Sequence, residues 1–192
     1  GDGEHSAQEV LHLMQEYGIS ARLTFSNSLL QEEHLSDKKC NTLCTLFEKG
    51  GTVQNGVIVH SDLLLSYLKR QYPGLYLVSS TTKVLTEFEQ FRDELKRDEF
   101  QYVVPDFRLN KRFEDLHTLT DEQKAKVEFL CNECCWFGCK DRKVCYEDVS
   151  RKALGIKAPD HRCTAPESEQ GYRFSKAMSN PGFIGVDAIK DI

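Results

Sequence analysis

The sequence predicts an α/β fold, a parallel (β/α) barrel-like domain. Three observations carry that expectation: short apolar runs recur along the chain, amphipathic helical segments separate them, and polar residues follow each run. Strands joined through helices pair in parallel by right-handed crossovers. A complete barrel takes about 250 residues. Only five or six strands can be counted in the 192 residues here, so the expectation is a partial barrel or a fragment. It is read as one domain over 1–192 with a cysteine-rich segment at 131–163.

In AQEVLHLMQEYG, Val10, Leu11, Leu13, Met14 and Tyr17 fall at helical spacing, and Gly18 suits the left-handed conformation of a helix end. SARLTFSN predicts the first strand, with Leu23 and Phe25 on one face. The stretch HLSDKKCNTLCTLFEKGG is helical up to Gly50 and Gly51. It carries Cys40 and Cys44 four residues apart, a spacing that reads as core packing. NGVIVHSD is short and β-branched, as a buried second strand should be. LLLSYLKRQY is helical to the Pro73-Gly74 break, and LYLVSS supplies the third strand. Residues 83–98 predict a helix with Val84, Phe88, Phe91 and Leu95 on one face, and FQYVVPD the fourth strand. A further helix over about 119–126 opens with Thr120 and Gln123 in capping-box positions. KVEFLC then predicts a fifth strand that runs into the cysteines.

Composition narrows the function classes. A 40% hydrophobic and 29% charged chain can bury one sizeable core. A formal charge of -5 leaves no broad nucleic-acid-binding surface. No apolar run reaches the roughly 20 residues of a membrane span, and GDGEHSAQEV lacks the pattern of a signal peptide, so the expected location is cytoplasmic.

In parallel α/β folds the loops after the strands build the site. Asn27 follows the first strand, His60 and Asp62 the second, Ser80 the third, Asp106, Arg108 and Asn110 the fourth, and Asn132 and Glu133 the fifth. His60, Asp62, Asp106 and Arg108 are the candidates for moving protons or orienting substrate. Asn27, Ser80, Asn110, Asn132 and Glu133 are candidates for binding it. Asp62, Ser80 and Asn110 also suit plain capping of the next helix or turn.

The cysteines are the sharpest signal. Six of the eight fall between Cys131 and Cys163, five of them in the 15 residues from Cys131 to Cys145. Packing alone does not require such crowding, and soft thiolate ligands select iron-sulfur clusters or tetrahedral zinc. Cys134, Cys139, Cys145 and Cys163 provide four thiolates, with Cys131 and Cys135 as substitutes; adjacent Cys134 and Cys135 do not both serve one centre if the strand is extended, since successive side chains face opposite ways. For Cys163 to join, the chain must fold back after Tyr146, through EDVSRKALG and the Pro159 turn. Lys140, Arg142 and Lys143 interleave the thiols, either to offset thiolate charge or as a solvated face.

From Asn55 to Cys163 the chain resembles the collagenase-like peptidase superfamily, which includes the iron-sulfur proteins of oxygen-independent ubiquinone and RNA hydroxylation. VIVHSDLLL, LYLVSSTTKV, VVPDFRLN and the cysteine cluster carry the resemblance. It implies a barrel-like core and a [4Fe-4S] cluster on four cysteines, with redox or hydroxylation chemistry. A small-molecule, peptide or RNA substrate and an electron donor would be the partners. This chain differs in its extra, closely spaced thiols. Zinc is the alternative metal, in a non-catalytic binding module. Peptide hydrolysis ranks third, since the chain has neither an HExxH pair nor a GxSxG elbow.

Overall fold

The structure is a computed structural model that describes residues 6–160, 163–166 and 174–191. Strands β1 (Arg22–Phe25), β2 (Gly56–Val59), β3 (Tyr76–Ser79) and β4 (Tyr102–Val103) form one parallel sheet in the order β1-β2-β3-β4. Helical crossovers between sequential neighbours produce that order, and the α/β class is the one the sequence predicts. By packing, the chain divides into two compact units, 1–78 and 79–192.

In the first unit, helix α1 (Ala7–Glu16) begins with a capping box. The Ser6 hydroxyl accepts from the Glu9 amide, and the Glu9 carboxylate accepts from the Ser6 amide. Gly18 takes the expected left-handed conformation at φ +65°. β1 pairs with β2 from Arg22 opposite Gly56 to Phe25 opposite Val59. A side chain on Gly56 would start 2.4 Å from the Tyr76 ring, so only glycine fits under it. The second predicted helix is divided: a 3-10 turn over Glu32–Ser36 precedes α2 (Lys38–Lys49), because the Asp37 carboxylate accepts from the Cys40 amide at 2.7 Å and starts a new helix. Cys44 is buried with Phe47, as its helical position predicts, and Cys40 is half-buried. Helix α3 (Asp62–Gln71) turns Leu64, Leu65 and Leu68 inward. Its cap is Ser61 rather than Asp62, which sits exposed in the first turn.

In the second unit, the predicted helix over 83–98 is cut to α4 (Phe88–Leu95). A 3-10 turn over Thr81–Lys83 ends at Val84 in the left-handed region, φ 53°, which breaks any continuous helix there. Phe88, Phe91 and Leu95 still face the core. Beyond β4 lie a 3-10 turn over Phe107–Leu109, α5 (Phe113–Leu116) and α6 (Asp121–Ala125), the last with the Thr120/Gln123 capping box in place.

The fifth strand is reduced to one parallel bridge between Val103 and Val127. β4 is two residues long, Pro105 brings no N–H donor, and Asp106 already caps the following turn, so the ladder has nothing to extend on. Helix α7 (Arg142–Ala153) starts earlier than EDVSRKALG suggests and includes Cys145. Helix α8 (Phe174–Met178) and a 3-10 segment over Val186–Asp191 close the described chain. The unit packs around Phe91, Phe100, Val103, Phe107 and Leu109. No helix among the described residues is long and apolar enough to cross a membrane.

Candidate functional site around the cysteine loop

β4 ends at a carboxylate with no exposure at all. Asp106 Oδ1 accepts from the Arg108 amide at 3.1 Å and from Arg108 Nη1 at 2.8 Å, so it caps the turn and holds the guanidinium together. Arg108 uses its other donors on the cysteine loop, giving Nε to the Phe137 carbonyl at 2.9 Å and Nη2 to the Cys139 carbonyl. A second guanidinium, Arg142 from the first turn of α7, is 2% exposed. Its Nη2 donates to Glu133 Oε2 at 2.7 Å, and its Nε lies 3.4 Å from Asp106 Oδ2, an ion pair outside hydrogen-bond geometry. The rings of Phe107 and Tyr146 stand 4.9 and 5.2 Å from its guanidinium carbon.

Glu133 turns this charge network into loop geometry. Its Oε1 accepts from the amides of Cys134 at 2.8 Å and Cys135 at 3.0 Å, which fixes the backbone that carries both thiols. Asn180 braces the same segment, donating to the Cys135 carbonyl at 2.8 Å while its Oδ1 accepts from the Gly182 amide at 2.9 Å. Asn110, fully buried, donates to the carbonyls of Leu130 and Gly182. The loop is thus held by two arginines, two carboxylates and two side-chain amides, Asn110 after β4 and Asn180 in the 180–182 turn.

All eight cysteines are free thiols. Cys134 is exposed and Cys135 half-buried, the opposite facing expected of neighbours. Burial pushes the Cys135 thiol up to about 12 against the opposing pull of Arg142, and the nearby Cys134 and Cys139 thiols add to the rise. Burial also raises Cys145, followed by the like charges of Cys139 and Cys163. The Thr164 hydroxyl donates to Asp141 Oδ2 at 3.4 Å, so the segment carrying Cys163 does fold back to the start of α7. His161 and Arg162, just before it, lie outside the described residues. Among the described residues, no group of three or more His, Cys, Asp or Glu side chains is arranged to hold a metal ion.

Burial would raise the Glu133 carboxyl, but Arg142, the Cys135 amide and the Cys134 thiol outweigh it and hold it below the usual carboxylate value. Arg142 keeps its proton more firmly than usual: Glu133 outweighs the burial that works the other way.

The other predicted site residues divide between the units. Asn27, His60 and Asp62 belong to the first, where Asn27 Oδ1 accepts from the Leu29 amide at 2.9 Å. Ser80, buried, caps the 3-10 turn through the Thr82 amide, the plain role open to it from sequence. Asn110 does not act as such a cap and instead joins two backbone carbonyls. Asn132 is exposed. Of the three cations among the thiols, Lys140 and Lys143 are exposed but Arg142 is buried, which corrects the reading of that set as one solvated face. Sequence reasoning passed over Tyr146 and Asn180. The Asn-Pro-Gly turn signal at 180–182 marks the second, and nothing local marks the first.

The chain is similar in structure to the U32 peptidase Mk0906, with a TM-score of 0.58 at 17% identity over 91% of this chain and 73% of that one. At that identity the likeness is one of fold, and it agrees with the fold of the superfamily that the sequence resembles. No protein-family model matches the chain, and no curated protein matches it.

Proposed function

We propose that this chain is a thiolate-ligated metal protein on a (β/α) barrel-like U32 fold, with a [4Fe-4S] cluster as the favoured group and zinc as the alternative. The single observation that supports it is that the segment carrying Cys163 folds back, through Thr164, onto Asp141 at the start of the helix that carries Cys145, with all of these thiols free. The donor chemistry fits: four soft sulfurs, no disulfide, and a folded-back distal ligand. Cys135 is preferred over Cys134 because it is half-buried, whereas Cys134 is exposed with its thiol 3.5 Å from the Glu133 carboxylate.

Bound there, a cluster would supply one-electron transfer, in redox or oxygen-independent hydroxylation of a cytoplasmic substrate. The chain's own residues have separate work. Arg142 places positive charge near thiols that must ionise to bind metal, and Arg108 holds the Phe137 and Cys139 carbonyls of the loop. Glu133 orients the amides of the first ligand, and Asp106 keeps Arg108 aimed at the loop carbonyls.

Anaerobic purification followed by visible spectroscopy and iron, sulfide and zinc analysis tests the reading. A brown protein with iron and sulfide that disappear when Cys135, Cys139, Cys145 and Cys163 are all replaced by serine is the expected result. A colourless chain with stoichiometric zinc would favour the metal-stabilised binding module. A metal-free chain that cleaves peptides would overturn both.

A further inference from the structure

Tyrosines that leave water usually keep a partner for the hydroxyl. Tyr67 and Tyr72 each donate to Asn41 Oδ1 at 2.7 Å. Tyr76 shares a bond with Ser20 Oγ at 2.7 Å and accepts from Arg22 Nε at 2.8 Å, and Tyr102 accepts from Gln101 Nε2 at 3.4 Å. Tyr146 is half-buried as well, yet its hydroxyl bonds to no described residue. Nor is its oxygen sealed, since the sealed and unbonded side-chain atoms belong to Asp106, Asn110 and Arg142. The hydroxyl therefore reaches solvent, while the ring stands 5.2 Å from the Arg142 guanidinium carbon.

Helix α7 turns a polar stripe toward the body of its unit. Arg142 and Ser150 are 2% and 4% exposed, whereas Val144 and Val149 are 50% and 59% exposed, the reverse of an ordinary amphipathic helix. Tyr146 lies at i+4 from Arg142 and at i-4 from Ser150, so the three share one face. That face looks onto strand ends: α7 packs against the 3-10 turn Thr81–Lys83 that follows β3, and Arg142 Nε lies 3.4 Å from Asp106 Oδ2, which follows β4. The carboxyl ends of parallel strands are where such folds hold their ligands.

We infer that the Tyr146 hydroxyl is a ligand-facing hydrogen-bond donor in a substrate site between α7 and the carboxyl ends of β3 and β4, and that it takes an uncharged oxygen, an amide or ketone carbonyl. A phenol is protonated at neutral pH and donates. The charges beside it cancel, Asp106 and Glu133 against Arg108 and Arg142, so an ionised ligand would find no net charge to offset its desolvation. The site holds whether or not the cysteines take up a metal.

Two measurements on the full chain test it. Denaturant unfolding reads whether the hydroxyl serves the fold. Tyr146→Phe should leave the folding equilibrium constant within about twofold of wild type. Tyr72→Phe, which breaks a bond to Asn41, should lower it about fivefold, the loss of one neutral hydrogen bond. A fall in Tyr146→Phe as large as that, or its failure to fold, would show the hydroxyl to be committed to the protein and overturn the inference. Titration followed by NMR then reads the ligand contact, with N-acetylalanine methylamide as the probe and acetate as the charged comparison. The amide should give saturable shifts of the α7 amides, with affinity about fivefold weaker in Tyr146→Phe, and acetate should give none. No saturable shift with the amide, equal affinity in Tyr146→Phe, or tighter binding of acetate would each overturn it.

Discussion

Residues 1–78 and 79–192 are built from the same alternation of strand and helix, but they differ in what they bury. Asn55 is the one polar side chain buried among the described residues of the first unit. The second buries Ser79, Ser80, Asp106, Asn110, Arg142, Asp148 and Ser150. Asn55 is fully engaged, giving Nδ2 to the Phe47 carbonyl at 2.8 Å and accepting from the Ala21 amide at 2.9 Å. Asp106, Asn110 and Arg142 each retain an atom with no hydrogen bond, although Asp106 Oδ2 and Arg142 Nε form an ion pair. Where polarity serves only the fold it is satisfied, and the unsatisfied groups gather in the unit that presents the cysteine loop. Buried charge is an expensive way to hold a loop, and its concentration in the second unit is what distinguishes the candidate site.

Breaking the charge network gives the largest expected effect. Asp106→Ala leaves Arg108 without its buried counter-ion, removes the second carboxylate beside Arg142, and should destabilise the chain by about 3–5 kcal/mol in denaturant unfolding. A loss under about 1 kcal/mol, the range of exposed pairs, would erase the contrast between the units. The matching substitution in the first unit, Asn55→Ala, strands an amide and a carbonyl but no charge. It should cost about 1–3 kcal/mol by the same measurement.

A pH titration sharpens the comparison from within the second unit. Burial would raise the Glu94 carboxyl, but the hydrogen bonds of Lys83 and Ser79 and the charges of Lys83 and Arg97 hold it below its ordinary value of 4.5. The unfolded chain therefore takes up the proton first as pH falls. The stability Glu94 contributes is complete above about 4.5 and is lost as pH drops through the lowered folded value. Thermal melts across that window should show wild type losing stability toward acid and Glu94→Gln losing less. Equal slopes would mean that the ion pair is not felt. The smallest effect is expected at the α6 capping box, where Thr120→Ala should cost about 1 kcal/mol. A cost as large as that of Asp106→Ala would show that local capping, rather than buried charge, dominates this unit.

Much of this was already legible along the chain. Four of the apolar runs became strands, and the Thr-x-x-Gln box and the Gly18 end formed where the pattern requires, because caps and periodicity act within one or two turns. Crowding of Cys131 to Cys145 likewise stood out by local spacing alone. Tertiary packing decided the rest. It cut the helix predicted over 83–98 at Val84 and reduced KVEFLC to a single bridge, since neither a left-handed residue nor a missing partner strand is written into a hydrophobic pattern. It also decided the burial of Arg142. Position 142 lies between exposed Lys140 and Lys143 in the sequence. Only Glu133 nine residues before it, and Asp106 and Phe107 more than thirty before it, supply the counter-charges and ring that let a guanidinium leave water. Local pattern determines which residues form an element, but the cost of burying a charge depends on partners that only the folded chain brings together.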